Sequence, residues 1–270
     1  MRSYKDELRA SKRKKLILKS AIFFAVLIIG LVGAVYLLFF ARLMDVREVT
    51  VEAEEEMRGR INNEISSWLN SGFWRFTEGS NLLFLSGNVL ASRIIEKFPE
   101  LESVKITKKF SHALIATVQE RKPSGIWCLS AQAGLSEQAD CFYFDKSGKA
   151  FSSTQPSNGF LVLNVIDQRS RELGLGDKVA EEVWTKNIFK AKDVLSKHNI
   201  SIAMFVIPPD SFDEFHAKTA EGWKILFGNQ TDIESQISAL AIFLKEKISP
   251  AHRATLQYVD LRIQDRIYYK

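Results

Sequence analysis

The residues best suited to acid–base or metal chemistry near neutral pH are four histidines, and they stand apart at His112, His198, His216 and His252. Their spacing matches no common ligand set, and each falls near an expected turn or exposed strand, so no metal site is expected. Two carboxylate pairs have ordinary explanations. Asp210 and Asp213 lie beside Pro208 and Pro209 in turn-forming sequence, while Asp232 and Glu234 open a helix where the dipole favours negative charge. The chain has no His-Glu-x-x-His, Gly-x-Ser-x-Gly or phosphate loop. Gly174 and Gly176 lack the third glycine of a dinucleotide fingerprint. No Asp-x-Asp motif of an anchored glycosyltransferase occurs either. The expectation is a protein without catalytic residues, cofactor or small-molecule substrate.

Recognition of another chain is the chemistry that remains. Val259, Leu261 and Ile263 alternate with Tyr258, Asp260 and Arg262, and after a turn at residues 264–265 come Arg266, Ile267, Tyr268 and Tyr269. A terminal strand leaves N–H and C=O groups unpaired, and these invite a strand from a partner. An aromatic, amphipathic edge adds side-chain anchors. The expected partner-binding residues are therefore Tyr258, Val259, Leu261, Arg262, Ile263, Arg266, Ile267, Tyr268 and Tyr269. The alternative is that Tyr268 and Tyr269 simply cover the sheet.

Far upstream of these strands, residues 20–41 form an uncharged run of 22 between Lys19 and Arg42. As a helix it reaches about 33 Å, enough for a hydrocarbon core of about 30 Å. Residues 1–19 hold eight Lys or Arg against two acids, a net +6, whereas Glu48, Glu52, Glu54, Glu55 and Glu56 follow the run. The positive-inside bias keeps the short N-terminus cytoplasmic and exports residues 42–270. A cleaved signal peptide would have a shorter core and a small-x-small site. Phe39, Phe40, Ala41 and Arg42 close this run instead, so an uncleaved anchor is expected. The whole chain carries +5, which leaves the remainder at −1 and without the basic excess that a nucleic-acid backbone requires.

The exported part reads as two α+β domains, at residues 42–122 and 123–270. In the first, a strand near residues 46–51 precedes a helix on Met57, Ile61, Ile65 and Trp68, ended by Gly72. Turns at Gly79, Ser80 and Asn81 and a short apolar piece at 82–85 lead to Ser86. That serine caps a second helix on Val89, Leu90, Ile94 and Phe98, and Pro99 stops it. Two antiparallel strands around Val104 and Ile106, and around Leu114, Ala116 and Val118, complete it. In the second domain, residues 126–128 and 141–144 suggest a hairpin that could set Cys128 against Cys141 in an export compartment that permits disulfides. Two unpaired small hydrophobes are the alternative. An apolar run at 160–165, a helix on Trp184, Ile188, Ala191 and Leu195, and a strand at 200–207 follow. Strands at 212–218 and 223–227 then precede a helix on Ile233, Ile237, Leu240 and Leu244. Trp68, Trp127, Trp184 and Trp223 fall on expected core faces.

Several stretches carry a family likeness. Asn81-Leu82-Leu83, the run from Phe98 through Val104, and Val118-Gln119-Glu120-Arg121-Lys122-Pro123 resemble the POTRA domain of the FtsQ/DivIB family of bacterial cell-division proteins. Phe144-Asp145-Lys146-Ser147-Gly148-Lys149-Ala150-Phe151 is similar to the Asp-x-x-Gly hairpin that starts that family's β domain. The stretch from Gly222 to Gly228 and Val259-Asp260-Leu261-Arg262 are similar to its last strands. The chain departs from the family at Ser111, where proline is frequent, and in a longer insertion between the cysteines. The resemblance implies a basic cytoplasmic tail at 1–19, a transmembrane anchor at 20–41, a POTRA-like domain at 42–122, and a β domain at 123–270 built on an antiparallel sheet with two helices. It implies a non-enzymatic septal scaffold in the cell membrane that binds single-pass divisome proteins of the FtsB and FtsL type. A POTRA-bearing envelope chaperone or secretion subunit, or an anchored enzyme with an unrecognised site, is the alternative.

Overall fold

The computed structural model describes residues 2–40, 45–70, 81–110, 112–130, 139–157, 162–253, 255–264 and 266–270. The expected turn and loop positions Gly72, Gly79, Ser80, Ser111 and Asp265, the residue Phe160, and the anchor's end at Ala41 and Arg42 lie outside the described residues. The protein is a mixed α+β chain. It divides into two compact units, Met1–Ile94 with Ser103–Gln119, and Ile95–Glu102 with Glu120–Lys270. Residues 95–102 and 120–122 therefore belong with the second unit, although the sequence suggested a single cut after residue 122.

The first unit begins with α1 (Arg2–Phe40), a helix of 39 residues. Its segment Arg13–Leu37 is long and apolar enough to cross a membrane, and none of it is buried against the protein. After β1 (Glu48–Glu52), α2 (Glu55–Asn70) starts with two glutamates at its dipole-positive end and buries Ile61, Ile65 and Trp68. The N–H of Val89 donates to Ser86 Oγ at 3.4 Å, which caps α3 (Gly87–Lys97). Leu90 and Ile94 are buried on this helix, but Val89, expected on the same stripe, is 45% exposed. The strands β2 (Leu101–Lys109) and β3 (Ala113–Glu120) follow. The sheet order is β1-β3-β2, with β1 parallel to β3. The buried Leu114 and Ala116 of β3 stand beside Val49 and Val51 of β1.

The second unit is one nine-stranded sheet with helices. Its strands and helices are β4 (Gly125–Leu129), β5 (Asp140–Phe144), β6 (Ala150–Thr154), β7 (Leu163–Asp167), α4 (Glu182–Lys197), β8 (Ile202–Ile207), β9 (Glu214–Thr219), β10 (Lys224–Gly228), α5 (Ile233–Glu246), the single turn α6 (Pro250–Arg253), β11 (Tyr258–Asp260) and β12 (Tyr268–Tyr269). The sheet order is β12-β11-β10-β9-β8-β7-β4-β5-β6. The expected antiparallel sheet is in fact mixed: β4 with β7, β7 with β8, and β10 with β11 run parallel. Connectivity explains the difference. The chain from β7 to β8 passes through α4, and from β10 to β11 through α5, and a helical crossover returns the next strand in the same direction.

Both crossover helices join one core. Trp184, Ile188, Ala191 and Leu195 of α4 and Ile233, Ile237, Leu240 and Leu244 of α5 are buried with Trp127, Val165, Phe205, Ala217, Ile225 and Val259 of the sheet. Asp232 caps α5 by accepting from the Ser235 N–H at 2.9 Å. Asn199, in the left-handed region at φ 58°, ends α4. Gly125 is obligatory for close packing, since a Cβ there would lie 2.6 Å from the Leu163 carbonyl oxygen and 2.7 Å from the Phe144 ring. Cys128 and Cys141 are directly paired across β4 and β5, and their sulfurs are bonded. Cross-linking a loop of this size contributes about 3 kcal/mol by restricting the unfolded chain.

Where the sheet starts, Arg121 is almost fully enclosed. Its Nε donates to the Pro99 carbonyl at 3.2 Å, its Nη2 to the Leu101 carbonyl at 2.7 Å, and its Nη1 to the Asp145 carboxylate. Asp145 Oδ1 also accepts from the N–H and hydroxyl of Ser147 at 2.8 and 2.7 Å and from the Lys149 N–H at 2.9 Å. This closes the β5–β6 turn, in which Gly148 has φ 77°. Burial pushes the Asp145 carboxyl up, but the bonds from Lys149, Ser147 and Arg121 together outweigh it and hold it below the ordinary 3.8. A lowered carboxyl stabilises the fold fully above its unfolded value and loses that contribution as pH falls through the folded one. Chemical unfolding followed by tryptophan fluorescence should therefore show a stability loss of about 3–5 kcal/mol for Arg121→Leu, which strands a buried carboxylate. Asp145→Asn should be less stable near pH 7 and should flatten the decline in stability below about pH 4. A wild-type acid limb in Asp145→Asn would contradict this account.

Candidate partner-binding edge

The last strands form one end of the second unit's sheet. β9 pairs with β10 antiparallel, β10 with β11 parallel, and β11 with β12 antiparallel. β12 thus lies at the sheet edge, as the sequence suggested, although β11 and β12 hold only three and two residues. Lys270 fixes which way the edge faces. It donates its N–H to the Tyr258 carbonyl at 3.2 Å and accepts from the Tyr258 N–H at 3.4 Å. Alternation along an antiparallel strand then turns the N–H and C=O of Tyr269 away from β11, toward any incoming strand.

The nine expected residues separate into four groups. Tyr268 and Tyr269 are 45% and 53% exposed, Ile263 is 53% exposed, and Arg266 is exposed. The Tyr269 ring packs on Phe243 of α5 with centroids 4.9 Å apart, and the Tyr268 hydroxyl lies 3.5 Å from Arg266 Nη1. Ile267 is half-buried against the core, and Tyr258 is half-buried beside Lys224 in the register. A groove of about 580 Å³ runs alongside, between the start of α5 and the residues that join β11 to β12. Ala239, Leu261, Ile263, Arg266 and Ile267 contribute to its walls.

Val259 and Leu261 are corrected: they are 0% and 3% exposed and belong to the core. The strand next to an edge still has one face inside, so alternate residues cannot all meet a partner. Leu261 is further fixed by its N–H, which donates to the Leu226 carbonyl at 2.9 Å.

Arg262 is committed within the chain. Its Nε and Nη2 grip the Asp260 carboxylate at 2.9 and 2.6 Å, and its Nη1 reaches Glu214 of β9. These bonds raise its already high pKa. Burial pushes Asp260 up, but its bonds from Arg262 and the charges of Arg262 and His216 leave it lowered. His216, 3.6 Å from Glu214, is pushed below the ordinary 6.5 by burial, with Lys224 and Arg262 adding to the effect against the opposing pull of Glu214. Sequence reading treated His216 as isolated. Glu214 is two positions away and Lys224 of β10 eight, but Asp260 and Arg262 lie over forty positions away, and no local pattern announces those two.

Among the described residues, no group of three or more His, Cys, Asp or Glu side chains is placed to hold a metal ion. What the geometry offers is a hydrogen-bonding edge with two exposed aromatic rings. No protein-family model matches the sequence, and no curated protein matches it.

The division between core and edge can be measured. Leu261→Ala should cost about 2–5 kcal/mol of unfolding free energy, whereas Tyr268→Ala should cost less than about 1 kcal/mol. Equal losses in urea titrations would contradict the assignment of these two side chains to different sides.

Proposed function

We propose that this chain is a non-enzymatic, membrane-anchored scaffold of bacterial cell division, of the FtsQ/DivIB kind. In this reading it captures single-pass division proteins of the FtsB and FtsL type by strand addition at β12. The observation that carries the proposal is the outward-facing backbone of Tyr269 next to exposed Tyr268, at the open end of a large sheet. α1 adds to it. Its apolar side chains from Leu16 to Leu37 are exposed to whatever surrounds the helix, and such a surface is stable in lipid rather than water. The basic residues before it favour a cytoplasmic N-terminus and exported folded units. The order β-α-α-β-β with β3 in the centre of the first sheet agrees with a POTRA-like domain. The second unit then corresponds to the β domain, and division septa of the cell membrane are the expected location.

Two substitutions at the exposed edge test strand addition. Tyr269→Pro removes the outward N–H, and Tyr268→Asp removes an aromatic anchor. In the full chain, each should lower recovery of a co-expressed FtsB/FtsL-type partner by about ten-fold or more, with cooperative unfolding retained. A fluorescent fusion of the unsubstituted chain should concentrate at midcell. Undiminished partner recovery in both variants would overturn the edge site, and uniform envelope fluorescence would overturn the septal role.

A further inference from the structure

The helices α4 and α5 cover only one face of the nine-stranded sheet, and the register identifies what lies on the other. Ile166 of β7 stands beside Val206 of β8, Val206 beside His216 of β9, and Met204 beside Lys218. Lys218 in turn stands directly opposite Lys224 of β10. These six residues border a groove of about 330 Å³ that opens to solvent. Its floor is apolar, with Ile166 buried and Met204 and Val206 half-buried, while Lys218 and Lys224 are exposed at its rim.

Charge sets this groove apart. Among the described residues, no carboxylate lines it and neither lysine belongs to an ion pair. The carboxylates nearest to His216, Glu214 and Asp260, are held by Arg262. Like charges directly opposite on neighbouring strands weaken a sheet, so the Lys218–Lys224 pair is a local cost that a bound anion relieves. The residues after the basic tail carry a net charge of only −1, so this pair is a local feature and not part of a generally basic surface. Adjacent strands are about 4.8 Å apart, which places the apolar floor and the cationic rim within reach of neighbouring side chains of one segment.

We propose that this face binds an acidic, amphipathic segment of another protein. Apolar side chains of that segment rest on Ile166, Met204 and Val206, and its carboxylates pair with Lys218 and Lys224. A ligand of charge alone leaves the floor uncovered, and an uncharged apolar ligand leaves the lysines facing each other. The site is separate from β12 and does not depend on the proposed role there.

The test uses the full chain in nonionic detergent, with methionine methyl groups labelled with carbon-13 for NMR. The probe is a fluorescent dodecapeptide of alternating glutamate and leucine. Two competitors lack the apolar contacts: an alternating glutamate–serine peptide and a single-stranded oligonucleotide. Saturable probe binding that shifts the Met204 methyl signal, assigned with Met204→Leu, is expected. Joint substitution Lys218→Glu and Lys224→Glu should weaken it by about ten-fold or more. If that variant loses cooperative unfolding, Lys218→Gln with Lys224→Gln takes its place and should weaken binding in the same direction. Tyr268→Asp should leave the affinity within about two-fold, which separates this face from the edge. An unmoved Met204 signal, unchanged affinity in the lysine variants, or equally tight binding of either competitor would overturn the proposal.

Discussion

The enclosure of the Arg121 guanidinium is the constraint on which the second unit depends. Its donors fasten residues 99–101 and the β5–β6 turn to the point where the sheet begins. Lysine could not replace it, because a single ammonium lacks the planar fork that reaches three acceptors in three directions. Asp145 serves a second purpose by closing the turn through Ser147 and Lys149, so one ion pair fixes both the entry to β4 and the return into β6. With that corner set, Gly125 lets β4 approach β5 and β7 closely, and the remaining strands are added outward toward β12.

The course of the chain then decides which surfaces remain available. Both long crossovers, through α4 and α5, lie on the same side as the common core. A sheet covered on one face must present the other to solvent or to a partner. On this side the alternation of β9 places Glu214, His216 and Lys218 opposite the buried Phe215, Ala217 and Thr219. The parallel return of β11 beside β10 brings Asp260 level with Leu226, and therefore within reach of the β9 groups. Arg262, which already grips Asp260 two residues before it, can reach Glu214 of β9 only because this register holds.

Much of this was legible because it is local. The steps of three and four that bury Trp184, Ile188, Ala191 and Leu195 are set by helical geometry, and so are those of Ile233, Ile237, Leu240 and Leu244. The facing cysteines also follow from a simple hairpin. Strand direction was not legible, since alternation reads the same in parallel and antiparallel ladders. For the same reason the alternation of residues 258–263 separated two faces without saying which was inside, and Val259 and Leu261 were assigned to the partner when they pack in the core. The pairing of Lys218 with Lys224 required the turn between β9 and β10 to be placed to the residue.

The brevity of β12 limits how strand addition can work. Two residues expose few outward backbone groups, and each hydrogen bond contributes a net of about 0.5–1.5 kcal/mol. Even two such bonds fall short of the roughly 4 kcal/mol that corresponds to millimolar affinity. In the proposed strand addition, backbone pairing at this edge would therefore supply orientation, and the aromatic rings and the neighbouring groove would have to supply most of the affinity. The same brevity protects against indiscriminate pairing, together with the flanking charges of Arg266 and Lys270. If chain and partner are tethered in one membrane, as proposed, a high effective concentration compensates for a weak individual contact. A short, guarded edge is then selective because it pairs stably only with a strand that also fills the groove and is already held nearby.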